Sequence, residues 1–214
     1  MALFITGASS GIGREIAYAY AEQGITLFLC GRNEQRLNET AEKCRTLGAD
    51  VYTYLFDVTD KDSAEKAVQQ ADSICPLDLV IANAGVSAGV LGMDETPVST
   101  RSIFETNIFG VINTILPASE LMKTRKQGHL VIISSLSGYR GMASCPAYSA
   151  SKSCVKAWGE AMRLSLKEKH IKVSVVCPGF VRSRITDKNN CPMPFFMEAP
   201  DAAEIIAKGI EKNK

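Results

Sequence analysis

Short apolar runs alternate along the chain with longer stretches in which apolar residues recur every three or four positions. The runs ALFIT (2–6), ITLFLC (25–30), VYTYLF (51–56), LDLVIA (77–82), HLVIIS (129–134) and KVSVVC (172–177) have the length of strands, and most are apolar nearly throughout. A strand covered on one face alternates apolar with polar residues, so a run apolar on both faces belongs to a sheet covered on both sides. Helical periodicity fills the stretches near 11–23, 34–47, 61–72, 99–124 and 147–170. The alternation predicts an α/β fold: a doubly wound parallel sheet, strand order 3-2-1-4-5-6, with helices on both faces and right-handed connections. No repeat, low-complexity segment or linker divides the chain, so residues 1–214 read as one domain. Residues 183–200 (SRITDKNNCPMPFFMEAP), with three prolines, read as a long loop. DAAEIIAKGIEKNK (201–214) then reads as a last amphipathic helix, with Asp201 as its N-cap.

The first strand runs into TGASSGIG (6–13), where Gly7, Gly11 and Gly13 leave a strand and open a helix. That context suits a dinucleotide loop, which needs a tight turn, close backbone approach and a pyrophosphate against a helix N-terminus. The spacing is GxxxGxG rather than GxGxxG. A site for NAD usually offers an acid near the end of the second strand, to accept from the ribose 2′-hydroxyl. Here that strand ends Cys30-Gly31-Arg32. A guanidinium suits a 2′-phosphate, which points to NADP(H) over NAD(H), with Ser9 and Arg14 as helpers from the glycine loop. The other reading of Arg32 is a solvated arginine that opens a loop.

Composition narrows the classes. Hydrophobic residues make up 46% and charged residues 22%, the proportions of a globular chain. A net charge of +1 makes no electrostatic case for nucleic acid. No apolar run reaches the roughly 18 residues of a membrane span, and MALFITGASSG lacks a basic segment and an apolar stretch of signal length. The expectation is a cytoplasmic protein with no membrane partner. The seven cysteines form no CxxC and no ligand spacing with His129 or His170, so they read as reduced packing thiols and no metal site is expected.

One further pattern bears on chemistry. In CPAYSASK, Tyr148 stands four residues before Lys152, so on a helix the phenol and the ammonium share a face. With TGASSGIG, then ANAG (82–85), then YSASK (148–152) in that order, the chain resembles the short-chain dehydrogenase/reductase family from residue 2 to about 185. The resemblance implies a Rossmann fold with Ser9, Ser10, Gly11 and Ile12 of the glycine loop on the dinucleotide. Asp57, in FDVTD, matches the aspartate that holds the adenine amino group, with Val58 beside it; its other reading is a helix cap, a task that Asp60 suits better. Asn83 would brace the central strand, and the small Ala84 and Gly85 would let the backbone approach the cofactor. Pro178 and Gly179 match a turn beside the nicotinamide. Val181 would bond the carboxamide, and Ser183 stands where the family usually has threonine.

The same resemblance implies a catalytic set of Asn107, Ser135, Tyr148 and Lys152. Ser135 lies thirteen residues before Tyr148, and Ser134 would be a structural neighbour. The implied reaction is reversible hydride transfer between a nicotinamide and a small-molecule carbonyl or secondary alcohol. Tyr148 would pass the proton, its ordinary pKa of roughly 10 lowered by the Lys152 ammonium and by oxidised nicotinamide. Lys152 would also hold the nicotinamide ribose, Ser135 would orient the substrate oxygen, and Asn107 would carry a water on a proton path; a plain helix-face amide is the other reading of Asn107.

Two other classes compete. A non-catalytic redox sensor or regulator on this fold would lack the proton-transfer set, and a sugar-nucleotide epimerase or dehydratase would need a larger carboxyl-terminal domain. No seventh-strand pattern follows the last helix, which leaves the outer pocket wall and a family-type tetramer in doubt. The helices at 99–124 and 147–170 suggest a homodimer, although core packing accounts equally for their apolar residues. CPMPFFM (191–197) falls at the family's substrate lid; Phe195, Phe196 and Met197 either cover an apolar substrate or anchor the loop. Met142 and Cys145 are further candidates for the pocket wall.

Overall fold

The computed structural model describes residues 1–87, 95–188 and 192–213. Six strands, β1 (Ala2–Thr6), β2 (Thr26–Gly31), β3 (Asp50–Leu55), β4 (Leu79–Ala82), β5 (Gly128–Ile133) and β6 (Ile171–Val176), form one parallel sheet in the expected order, β3-β2-β1-β4-β5-β6. Neighbouring positions in a strand point to opposite faces, and both faces are apolar. Leu3 and Ile5 of β1 pack with α1 (Gly11–Tyr20), α2 (Glu34–Thr46) and α7 (Ala199–Glu211) on one side. Ala2 and Phe4 pack with α3 (Lys61–Ile74), α5 (Gly110–Arg125) and α6 (Pro146–Ser165) on the other. The sheet is the middle layer of three, and its carboxyl ends open on one edge where the loops gather.

Where the structure departs from expectation, local chemistry explains it. β3, the edge strand of the expected order, is largely exposed, with Leu55 55% accessible; it pairs with β2 from Asp50 to Leu55, and Tyr52 stacks on Phe28, 5.2 Å between ring centroids. The helix expected over 99–124 begins earlier and is interrupted. Thr96 caps α4 (Pro97–Phe104) in a reciprocal box with Ser99, and Pro97 occupies the first turn, where its missing N–H costs nothing. One π-helical turn, Glu105–Phe109, then precedes α5. Such turns insert a residue into an α-helix and often mark functional sites; this one carries Asn107. α6 stops at Ser165 rather than 170, followed by a short 3-10 turn closed by His170 at φ 59°. Asp201 is not the cap of α7: Pro200 fits the first turn, so the helix starts at Ala199 with Glu198 at the cap, and Asp201 adds its charge to the first turn. The six described cysteines are free thiols, but Cys154 is exposed, so packing accounts for only some of them; Cys191 lies outside the described residues.

Candidate active site

A cleft of about 630 Å³ runs across the carboxyl ends of the strands, where doubly wound sheets bind ligands. Its wall includes the loop after β1 (Gly7, Ser9, Ser10, Gly11, Ile12), Arg32 after β2, Asp57 and Val58 after β3, and Asn83, Ala84 and Gly85 after β4. From the other half of the sheet come Ser135, Tyr148, Lys152, Pro178, Gly179, Val181 and Ser183. Residues as far apart in the chain as Gly7 and Thr186 thus share one wall. Gly13 sits one turn into α1, buried against Asn83, and Asn107 lies behind the wall.

The glycine loop is built on the first central strands. Gly7 has φ +69°, and a Cβ there would lie 2.8 Å from the Asn83 amide nitrogen, so the turn requires glycine twice over. Asn83 braces the centre of the sheet as expected: its amide donates to the Thr6 and Gly7 carbonyls at 2.9 and 3.3 Å, while the Thr6 hydroxyl accepts the Asn83 and Ala84 N–H groups. Arg14 is not among the residues bordering the cleft, and its guanidinium pairs with Glu15 at 2.9 Å.

At the nucleotide end, Arg32 and Asp57 meet each other. Arg32 Nη1 donates to Asp57 Oδ2 at 2.9 Å, with side chains 60% and 35% exposed. Asp57 also accepts the N–H and hydroxyl of Thr59, while Asp60 caps α3 by accepting from Ser63. Burial alone would raise the Asp57 carboxyl, but the Thr59 N–H, Arg32 and the Thr59 hydroxyl together hold it below the usual carboxylate range. A second cation, absent from the expected set, borders the same end. Arg36 lies in the first turn of α2, and its Nε is buried with no hydrogen-bond partner. A cation in a first turn opposes the helix dipole, a signal present in the sequence once Asn33 is recognised as the cap. An unpaired donor on a cleft wall fits an anionic group of the kind that a dinucleotide carries.

At the reaction end, side chains are buried and assigned. Asn107 is fully buried; its Oδ1 accepts the Val86 N–H at 2.8 Å, and its Nδ2 donates to the Val86 carbonyl at 2.9 Å and to Ser151 Oγ at 3.0 Å. It is therefore not a helix-face amide. Ser134 does structural work, donating to the Lys152 carbonyl at 2.8 Å, and Lys152 Nζ donates to the Ile133 carbonyl at 2.8 Å. A Cβ on Gly85 would stand 3.5 Å from that Nζ and 3.2 Å from Asn107 Oδ1, so a bare backbone keeps the space around the ammonium. Burial pulls the Lys152 ammonium down to about 8, with Cys177 opposing. Tyr148 runs against the expected direction. Burial raises its phenol above 10; the facing Ser135 hydroxyl lowers it in part, and Cys145 adds to the rise. Lys152 does not lower it here because its ammonium is turned to the Ile133 carbonyl, 5.8 Å from the tyrosine ring centroid.

Several expected wall residues lie elsewhere. Met142 and Cys145 do not border the cleft but gather on Ser149, at the start of α6. Phe195 is 97% exposed, Phe196 packs 5.1 Å from the Arg182 guanidinium, and Met197 bridges Val181. From that loop the cleft takes Ser183, Arg184, Ile185 and Thr186 instead. Ser183 and Thr186 bond each other, and the Thr186 hydroxyl donates to the Val181 carbonyl at 2.8 Å. The described residues hold no cluster of three or more metal-ligating side chains and no helix long and apolar enough to cross a membrane.

The parallel sheet, its strand order and the glycine loop at the first crossover define a dinucleotide-fold protein of the doubly wound class. The short chain dehydrogenase family model matches residues 1–193, and the chain belongs to that family of oxidoreductases, whose members act on small molecules. It is 40% identical over 211 residues to an uncharacterised oxidoreductase of Myxococcus xanthus, covering 98% of this chain and 83% of the relative. The fold superposes on a short-chain dehydrogenase from Sphingobium yanoikuyae in complex with NADPH, at a TM-score of 0.88 and 24% identity over 100% of this chain and 85% of that one. Actinorhodin polyketide ketoreductase with NADPH matches at a TM-score of 0.85 and 28% identity, over 98% of this chain and 89% of that chain.

Proposed function

We propose that the protein is an NADP(H)-dependent oxidoreductase interconverting a carbonyl and a secondary alcohol, with Tyr148 as general acid and base. The observation that carries this reading is the convergence of Ser135, Tyr148 and Lys152 on the same cleft as the glycine loop. When bound, the dinucleotide supplies or accepts the hydride. Gly7, Ser9, Ser10, Gly11 and Ile12 cradle its pyrophosphate with main-chain groups. Asp57 and Val58 receive the adenine, and Arg32 and Arg36 take the 2′-phosphate. Asn83, Ala84, Gly85, Pro178 and Gly179 border the nicotinamide, with the Val181 N–H and Ser183 on its carboxamide. The same cation pair, together with the NADPH found with the actinorhodin ketoreductase, supports NADP(H) over NAD(H).

In the reduction direction the Ser135 hydroxyl orients the carbonyl oxygen, and Tyr148 gives that oxygen its proton as negative charge grows there. A phenol held above 10 is protonated at neutral pH, which suits a donor; the reverse reaction needs the phenolate, favoured once a cation stands beside it. Lys152 holds the ribose hydroxyls, and the Asn107 region extends the proton path toward solvent. Residues 183–200 act as a substrate lid through Arg184 and Ile185 rather than the phenylalanines, and the protein works in the cytoplasm, as a homodimer. The test is parallel titration of NADPH and NADH, followed by turnover on a carbonyl panel. The expected result is preference for NADPH and turnover that Tyr148→Phe abolishes while NADPH still binds. Sustained turnover in that variant removes Tyr148 from the acid role; preference for NADH overturns the cation reading.

A further inference from the structure

The start of α6 lacks a cap of its own. Cys145 flanks it, but its side chain accepts from none of the helix's first N–H groups, and Pro146 takes the first helical position. The next two N–H groups, of Ala147 and Tyr148, have no acceptor within the helix. A Ser, Thr, Asp or Asn at the cap usually answers one of them. Here both are answered by a carboxylate from another part of the chain: Ala147 N–H donates to Glu95 Oε2 at 2.6 Å and Tyr148 N–H to Glu95 Oε1 at 3.2 Å, across 52 and 53 residues. The charge also lies at the positive end of the helix dipole.

Glu95 directly precedes Thr96, which caps α4. Two consecutive residues therefore cap two helices: α4, which leads through the π turn to Asn107, and α6, which carries Tyr148 and Lys152. A second tie closes the same pair of helices. Asn107 Nδ2 donates to Ser151 Oγ at 3.0 Å, and Ser151 Oγ donates to the Tyr148 carbonyl at 2.7 Å. The main chain of Tyr148 is thus gripped on its N–H side by Glu95 and on its carbonyl side by Ser151.

We propose that Glu95 is a positioning residue that fixes the Tyr148 main chain, and with it the phenol, against Ser135 and the substrate oxygen; the catalytic consequence rests on the reading of Tyr148 given above. Two variants of the full chain test it, Glu95→Ala and Glu95→Gln, with kcat at saturating NADPH, the NADPH Kd and amide hydrogen exchange as readouts. Glu95→Ala should lower kcat roughly tenfold, the cost of a slightly misplaced reacting group, with the NADPH Kd within about twofold because the nucleotide end is untouched. Glu95→Gln keeps a side-chain acceptor and should restore most of the loss. Exchange at Ala147 and Tyr148 should quicken about fivefold in Glu95→Ala, the release of a cap worth about 1 kcal/mol, while β1 to β3 stay protected. A kcat within twofold of the parent, despite lost protection at these amides, would reduce Glu95 to a structural cap and overturn the proposal; unchanged protection would overturn it outright. Should Glu95→Ala fail to fold, Glu95→Asp, which keeps the charge but shortens its reach, decides in its place by the same kcat and exchange readouts. If the parent chain turns over no carbonyl, the functional reading fails, and the exchange data still decide whether Glu95 holds Tyr148.

Discussion

The two ends of the cleft are built on opposite principles. The nucleotide end is main chain and exposed charge: a glycine turn, a partly solvated Arg32–Asp57 pair at 60% and 35% exposure, and the open edge strand β3. The reaction end is buried side chain: Asn107 is 0% and Lys152 4% exposed, and both are bonded to main-chain carbonyls. An exposed ion pair contributes about 0–1 kcal/mol and exchanges partners readily. A buried polar group left unpaired costs about 1–3 kcal/mol. The nucleotide end can therefore rearrange around what arrives, and the proposed role of Arg32 requires it to leave Asp57 for a phosphate, whereas the reaction end must be assembled beforehand. Preorganisation of that kind is what proton transfer to a developing charge requires.

The strongest way to break this contrast is Lys152→Met. Turnover should fall by roughly 10²- to 10⁴-fold, the span of a lost proton-transfer arrangement, yet the protein should gain stability at pH 7. The sign follows from burial. The Lys152 ammonium sits at about 8 in the fold against an unfolded value of roughly 10.4. Below pH 8 both states hold the proton and the fold bears its desolvation; between about 8 and 10.4 only the unfolded state holds it, so stability climbs with pH relative to the variant. Equilibrium unfolding of both proteins should show the variant ahead by about 1–3 kcal/mol at pH 7, with the gap closing near pH 10. A variant less stable than the parent at pH 7 would mean that the bond to Ile133 outweighs the desolvation.

The nucleotide end yields smaller effects and ranks its two cations. Arg36→Ala should weaken NADPH binding roughly 10- to 100-fold by titration, the loss of a charge-assisted bond, and leave NADH unchanged. Arg32→Ala should cost only a few-fold, about 1 kcal/mol, because removing it also frees Asp57 and its charge is already screened. The reverse order would place the phosphate on Arg32 and leave Arg36 as a part of the wall that makes no contact with it.

The smallest effect separates burial from function. His129 is buried at the far end of β5 against Ser174 Oγ, 2.9 Å away. Burial, with Lys172 and Arg163 adding to it, lowers its pKa to about 4. The unfolded chain therefore binds its proton first, and stability is lost as pH falls from about 6.5 towards 4, by on the order of 2–3 kcal/mol. His129→Gln should flatten that acid limb in equilibrium unfolding and leave turnover unchanged. A drop in kcat would show that buried polar order at the strands' other end also reaches the cleft.

Most of the fold was legible because its rules are local. Apolar runs of strand length separated by helical periodicity imply parallel crossovers, and the observed strand order follows. The glycine turn and the Tyr148–Lys152 spacing are also local, since a turn and one helical pitch fix where neighbours point. Less legible were features that depend on what lies beside a residue from elsewhere. β3 falls at the edge in the predicted order, but nothing in VYTYLF says that its own residues will stay largely exposed. Phe195 and Phe196 look like a lid in the sequence, but Phe195 stands exposed and Phe196 packs on the Arg182 guanidinium. Arg36 carried a faint sign, a cation against a helix dipole; Glu95, 52 residues from the amide it caps, carried none.

The sequence by itself determined the sheet, its order, the dinucleotide turn and the residue types available for proton transfer. Tertiary structure alone decided that Arg32 rests on Asp57, that Lys152 is drained of basicity by burial, that Tyr148 is held above rather than below its ordinary pKa, and that its helix is capped from outside. Backbone geometry answers to neighbours in the chain, whereas desolvation and charge are sums over every atom that folding brings near.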